Sequence, residues 1–320
     1  MPLFSVIIPS FNRVALLGAT LESIFAQRFT NFEIIVVDDG SADGTMDYLQ
    51  SFGTRISVFQ QPNRGAGAAR NLGARHAQGR YLAFLDSDDL WFPWTLEVCR
   101  NVIQDNRDPS FVVGKPCQFS NERELDRIVF SAIKTERFVD YLASGDEWRW
   151  WGASSFLVRR DAFIGVSGFT EEWVNGEDGD LALRLGVAPS FIQITAPATF
   201  AYRDHAGGVS RDMKKTVADA WSKIRAEKAG GYPGGTARAA ERRRILTRTM
   251  RQVTLGCLQQ GLRQEAWKLF RATFAWNASL GRFKYLTAFP VFATLSLFRA
   301  RAVPGAELAG RQQKSNAPVH

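Results

Sequence analysis

The sequence predicts an α/β protein built on a mainly parallel sheet with helices on both faces, followed by a helical extension. Three observations carry this expectation. Short β-branched runs alternate with amphipathic stretches through the first ninety residues. Two of these runs end abruptly in aspartate clusters, Asp38-Asp39 and Asp86-Ser87-Asp88-Asp89. From about residue 214 the alternation gives way to apolar residues at three- and four-residue steps, with Arg on the remaining faces.

Residues 5–9 (Ser-Val-Ile-Ile-Pro) read as a buried strand closed by proline. A turn at 10–13 leads into a helix over 14–27 that gathers Leu17, Leu21, Ile24 and Phe25 on one side. Residues 32–37 form the second strand, stopped by Asp38-Asp39-Gly40-Ser41. A short helix over 45–52, a strand over 56–60 and an Ala- and Gly-rich helix over 65–77 follow. The strand over 81–85 stops at the second aspartate cluster, and a helix begins near Pro93. Further on, 154–159 reads as a strand and 178–185 as a helix. The extension carries helices over 237–260 and 263–276, and residues 311–320 read as a disordered end.

With 45% hydrophobic residues, 24 Phe and 9 Trp in 320, the chain has ample material for a core, which excludes global disorder and collagen-like repetition. Cys99, Cys117 and Cys257 are widely spaced and odd in number. They argue against a disulfide scaffold or a cysteine-ligated zinc site and fit the cytoplasm. Met1 and Pro2 run straight into apolar residues, so no signal peptide is expected, and no uninterrupted apolar run reaches transmembrane length.

Charge is unevenly placed. Residues 1–213 hold 20 Lys/Arg and 27 Asp/Glu, a net of −7; residues 214–320 hold 20 and 5, a net of +15. A boundary near 213 follows, separating a catalytic-sized domain over 1–213 from a basic extension over 214–320. The acidic front half removes nucleic acid as a partner suggested by the basic pI of about 9.6. Residues 283–298 are Phe-rich, flanked by Arg282 and Lys284 at one end and by Arg299 and Arg301 at the other. They are too short and too broken by Pro290 to span ~30 Å of hydrocarbon. Two readings fit them: a segment lying on an anionic membrane surface, or a helix packed on the catalytic domain.

Parallel strands would bring both aspartate clusters to one sheet edge, where such sheets bind ligands. Three carboxylates in four residues repel one another, so Asp86-Ser87-Asp88-Asp89 reads either as a site for Mg²⁺ or Mn²⁺ or as a cap for the next helix. Asp38-Asp39 can accept hydrogen bonds from a nucleotide base or ribose, or can form an Asp/Gly/Ser turn. The stretch 63–71 lacks the Lys-Ser/Thr of a P-loop and the spacing of a dinucleotide turn. Its glycines admit a ligand near the backbone and Arg70 can meet a phosphate, or Arg70 is simply solvated. Glu177-Asp178 sits at a helix N-terminus, where a carboxylate is stabilised as the anion that a base requires; a plain cap is the alternative. His205 suits a metal or a diphosphate, although a lone loop histidine is usually neither.

Taken in order, Ser5-Val6-Ile7-Ile8-Pro9-Ser10-Phe11-Asn12-Arg13, Val36-Val37-Asp38-Asp39-Gly40-Ser41, Asn63-Arg64-Gly65, Phe84-Leu85-Asp86-Ser87-Asp88-Asp89 and Gly176-Glu177-Asp178 resemble family 2 glycosyltransferases, inverting enzymes of the GT-A fold. The similarity spans about residues 3–210. It implies that Asp39, with the backbone around Pro9 and Phe11, recognises the base of a nucleotide sugar, commonly uracil. Asp38 and Arg70 would lie near the nucleoside or phosphates. Asp86-Ser87-Asp88 would be the DxD motif, with Asp88 the direct ligand of Mn²⁺ or Mg²⁺, Asp86 nearer the ribose, and Asp89 and His205 as further metal contacts. Asp178 would be the general base, with Glu177 shaping the pocket for a carbohydrate or lipid-linked acceptor in surface polysaccharide or glycolipid synthesis. Trp148, Trp150, Trp151 and Trp173 could stack on sugar faces or fill the core. Two other readings stand beside this one: a nucleotidyltransferase that makes an activated sugar, and a catalytically inactive lipid-binding scaffold. Pro9-Ser10-Phe11-Asn12 is not the Gly-rich basic loop that the first usually shows, and the intact aspartates argue against the second.

Overall fold

The structure, a computed structural model, describes residues 1–145, 152–172, 174–205 and 212–301, the last six as backbone only. Trp148, Trp150, Trp151, Trp173 and the end at 311–320 lie outside the described residues. The chain divides into two units, Met1–Thr249 and Met250–His320.

The first unit is built on β1 (Phe4–Ser10), β2 (Phe32–Asp38), β3 (Ser57–Gln60) and β4 (Tyr81–Phe84), ordered β3-β2-β1-β4 and all parallel. Helices α1 (Val14–Phe25), α2 (Thr45–Gln50) and α3 (Ala66–His76) lie between them in the chain. Val6, Ile7 and Ile8 are fully buried, as expected for a central strand covered on both faces. Gly73 lets α3 lie close on the sheet, since a Cβ there would come within 2.6 Å of the Ile7 side chain. Ser10 pairs in register with Asp38, and Asp38 with Gln60, so the carboxyl ends of these strands align at one edge.

Beyond β4 the mainly parallel sheet becomes mixed. The next small strand, β5 (Leu90–Trp91), and α4 (Thr95–Asp105) precede β6 (Phe111–Val113), β7 (Pro116–Phe119), β8 (Lys134–Phe138), β9 (Phe156–Arg159), β10 (Phe191–Ala196) and β11 (Phe200–Arg203). Among the described residues the large sheet has eight strands, continuing β4-β9-β6-β10-β8, with β9 and β8 antiparallel to their neighbours. A small sheet, β5-β11-β7, carries the second aspartate cluster's flank and ends at Arg203. Two short helices, α5 (Arg160–Gly165) and α6 (Glu177–Arg184), complete the part anticipated as the catalytic domain.

The division in charge near 213 does not coincide with the structural one. Residue 213 opens α7 (Met213–Lys228), which belongs to the first unit together with the start of α8 (Ala239–Gln259). A charge count cannot distinguish solvated from buried cations. Here Lys223 pairs with Asp219, and Arg242 with Glu227, all four buried. In the second unit, α9 (Arg263–Ser279) and α10 (Phe283–Arg301) pack through Phe289, whose ring stacks on Phe270 at 4.3 Å. No helix among the described residues is long and apolar enough to cross a membrane.

Candidate active site

A cavity of about 930 Å³ opens at the carboxyl edge of β1, β2 and β4. Pro9, Phe11, Asp39, Arg70, Asp86, Asp88, Glu177, Asp178 and His205 all line it. A second cleft, about 870 Å³, lies at the opposite strand ends around Leu3, Gly79 and Arg80 and contains none of the anticipated residues. The fold therefore gathers side chains up to 196 positions apart, from Pro9 to His205, at the ends of strands and the starts of helices that meet at this edge.

Asp39 is fixed by its neighbours. Its backbone N–H donates to the Ser10 carbonyl at 2.8 Å. Its carboxylate accepts from Gln61 Nε2 at 2.7 Å and from the backbone N–H groups of Arg64 and Gly65 at 2.9 and 2.8 Å. Asp38 is placed differently from expectation. Fully buried and off the cavity lining, it accepts from Gln60 Nε2 at 3.0 Å and from the Ser41 N–H at 3.3 Å, bracing the turn that presents Asp39.

In the second cluster the aspartates divide their work. Asp86 meets Arg70, and its N–H donates to Ser154 Oγ at 3.0 Å. Asp88 places Oδ2 3.0 Å from His205 Nε2, with Arg13 3.7 Å away. Asp89, anticipated as a metal contact, is instead buried away from the cavity and accepts from Ser154 Oγ at 2.6 Å and the Arg203 N–H at 3.0 Å. Burial, followed by the charges of Asp86 and Asp88, holds its carboxyl well above the usual carboxylate range. It ties the cluster to β11 and so sets where His205 emerges.

Arg70 is buried between two carboxylates, Asp86 and Glu177, the latter at 2.7 Å. Burial works against its charge, but the two anions more than offset this and raise its pKa. Burial likewise pushes Glu177 up, but Arg70 overcomes it and leaves the carboxyl below its ordinary range. Asp178, the next residue, has no such partner. Burial first and Glu177 second push it up to about 7, against the opposing pull of Lys223, the Gly179 N–H and Arg70. Two adjacent carboxylates are thus split into a permanent anion and a group that exchanges protons near neutrality. Gly152 leaves room beside Asp178, since a Cβ there would lie 3.3 Å from Oδ2.

Several contributors escaped sequence reading. Arg13 and Arg203 lie within motifs whose other members were singled out, and for Arg203 its place two residues before His205 was the available signal. Ser154, Lys215, Thr216 and the Lys223–Asp219 pair carried no local signal. Among the described residues no group of three His, Cys, Asp or Glu is placed to hold an ion. Asp88 and His205, 3.0 Å apart at the cavity wall, are of donor types that suit Mn²⁺ or Mg²⁺.

Residues 5–162 match the family model described as glycosyl transferase family 2. An uncharacterized glycosyltransferase of Haemophilus influenzae is 32% identical over 222 residues, covering 67% of this chain and 73% of the relative. The chain belongs to glycosyl transferase family 2. A putative teichuronic acid biosynthesis glycosyltransferase of Bacillus subtilis, TuaG, is 42% identical over 123 residues, 37% of this chain and 45% of that protein. Staphylococcus aureus TarS 1-349 in complex with UDP-GlcNAc superimposes with a TM-score of 0.67 at 18% identity, covering 94% of this chain and 92% of the other. The mannosyltransferase PcManGT of Pyrobaculum calidifontis, in complex with GDP-Man and Mn²⁺, gives 0.53 at 19% identity, covering 93% and 84%. The fold of this glycosyltransferase is accordingly of the GT-A type, a central sheet flanked by helices with a helical region at the C-terminal end. Membership leaves the nucleotidyltransferase and inactive-scaffold readings without support.

Proposed function

We propose that this glycosyltransferase moves a sugar from a UDP-linked donor to an acceptor hydroxyl with inversion, in the synthesis of a surface polysaccharide or glycolipid. The observation that carries this reading is the convergence of Asp39, Asp88 and Asp178 on one cavity. A carboxylate offers about four lone-pair sites. Three protein N–H donors occupy Asp39, which leaves room for the N–H of a uracil ring. Phe11, 43% exposed at the cavity, offers an aromatic face to the base. The relatives support the pathway class through the teichuronic acid protein, and the donor class through UDP-GlcNAc in the TarS complex.

Asp88 and His205, with Asp86 beside them, would hold Mn²⁺ or Mg²⁺, which when bound neutralises charge on the departing diphosphate. Arg70 holds the carboxylates of Asp86 and Glu177 in place through its two ion pairs. Asp178 takes the proton from the acceptor hydroxyl as that oxygen bonds to the anomeric carbon. The bond from that carbon to the diphosphate oxygen breaks on the opposite face, so one displacement inverts the centre. A thermal-shift panel of nucleotide sugars with Mn²⁺ tests the donor assignment. Stabilisation by UDP-sugars over GDP-sugars is expected, and equal response to both would overturn the uracil assignment.

The second unit supplies a membrane-facing surface in this reading. Phe283, Val291, Phe292 and Leu295 on α10 are each more than half exposed, and residues 250–320 hold ten Lys/Arg against two Glu. Apolar rings set among cations suit the interface of an anionic bilayer and a peripheral position on the inner face of the membrane. The full chain should sediment with phosphatidylglycerol vesicles more than with phosphatidylcholine vesicles, and Phe292→Asp should weaken this. Equally poor binding to both vesicles would remove the proposal.

A further inference from the structure

We propose that Lys223 and Asp219 of α7 are a positioning pair for the general base, fixing the turn over residues 176–178 and setting the charge that Asp178 meets. The inference rests on the assignment of Asp178 above. Lys223 Nζ donates to the Gly176 carbonyl at 2.8 Å and to Asp219 Oδ2 at 2.6 Å, and both side chains are only 6% exposed. Gly176 has φ +130°, and a Cβ there would stand 2.6 Å from Asp219 Oδ2 and 2.8 Å from Lys223 Nζ. The turn is therefore pressed directly against the pair, and only glycine fits. Gly176 is the N-cap of α6, so holding its carbonyl fixes where the helix starts and where its second residue, Asp178, points.

A buried ion pair is weak evidence for stability, since a well-packed apolar pair often serves as well. The charges at this place point to a further role. Asp178 is faced by Glu177 on its own helix, Arg70 from α3, Lys223 from α7, and Tyr141 from the segment after β8, while Asp219 and Asp180 act on Lys223. Arg70 is committed to Asp86 and Glu177. Lys223 is the cation that most favours the ionised form of Asp178, and Asp219 moderates it. Asp180, which also acts on Lys223, is held by Arg184 Nε at 2.8 Å and the Tyr232 hydroxyl at 2.9 Å. The pair thus couples position and proton affinity at the residue that receives the acceptor's proton.

Two substitutions should act in opposite directions, which a merely structural role would not produce. Lys223→Met removes the cation and should move the acid limb of the pH–rate profile up by on the order of half a pH unit. Asp219→Asn keeps a hydrogen-bond partner for Lys223 but removes the anion, and should move the limb down. Lys223→Arg should restore the wild-type limb in large part. The full chain is assayed for UDP release from UDP-N-acetylglucosamine with Mn²⁺, water serving as acceptor. In parallel, infrared spectroscopy follows titration of the protonated-carboxyl band that Asp178→Asn abolishes. Shifts of opposite sign support the pair. Limbs that stay put, or move together, overturn it. If the wild type releases no UDP from any nucleotide sugar, the catalytic reading fails, and the infrared titration still decides whether Lys223 and Asp219 set the proton affinity of Asp178.

Discussion

Replacing Arg70 with methionine tests whether one buried guanidinium holds the site together. Methionine keeps an unbranched apolar stem but withdraws the charge from Asp86 and Glu177. Removing one partner of a fully buried ion pair costs about 3–5 kcal/mol. The Asp86 side chain retains 32% of its accessible surface and Glu177 16%. Water therefore takes over part of their solvation, and about 2–3 kcal/mol is expected. In a unit ending at Thr249 this corresponds to a Tm lowered by roughly 5–10 °C. The pH dependence follows from Glu177, whose carboxyl Arg70 holds below its ordinary range. A depressed folded-state pKa adds stability above the unfolded value, and that stability is lost as pH falls through the folded one. Wild type and variant should therefore converge as the pH falls below the ordinary glutamate range. Tryptophan-fluorescence melts across that range provide the assay. A Tm change under about 1 °C near neutrality, or a gap that widens on acidification, would refute the reasoning.

Other outcomes follow from the same geometry. For sugar transfer, kcat/KM should rise about tenfold per pH unit on the acid side and level off above about 7, because Asp178 must lose its proton before it can accept another. A profile flat between about pH 5 and 8 would show that a different group receives the proton. Asp39→Ala should lower UDP affinity in calorimetry by about tenfold or more, since it removes an acceptor presented to the base and leaves the Arg64 and Gly65 N–H groups unpaired. Unchanged affinity would mean that Asp39 only braces its loop.

The strands that build the cavity edge were legible because their signals are local. Residues 5–9, 32–37 and 81–85 are apolar runs with sharp stops, and β1, β2 and β4 fall on them within a residue or two. The helices over 237–260 and 263–276 likewise reappear as α8 and α9. The stretch from 110 to 140 carries strands of three to five residues without clear alternation, and its pairing depends on partners far along the chain, such as Phe111 with Val158 and Phe138 with Phe191. That is why the antiparallel part of the sheet could not be foreseen. The same limit divided the aspartates. Asp38 and Asp89 look like their neighbours Asp39 and Asp88 in sequence, and only contacts with Gln60, Ser154 and Arg203 turn them away from the cavity. Lys223 was hidden for another reason. In a basic tail it reads as one more solvated cation, and its burial beside Gly176 becomes visible only when α7 is packed.

The central claim is that Asp178 removes the acceptor's proton in a site that binds its donor by other groups. Asp178→Asn, compared with the wild type at one UDP-sugar concentration, tests it most directly. Calorimetry should give donor affinity within about twofold of wild type, while transfer falls by at least about 10²-fold, the usual share of a general base. Transfer close to the wild-type rate with donor binding intact would contradict the account.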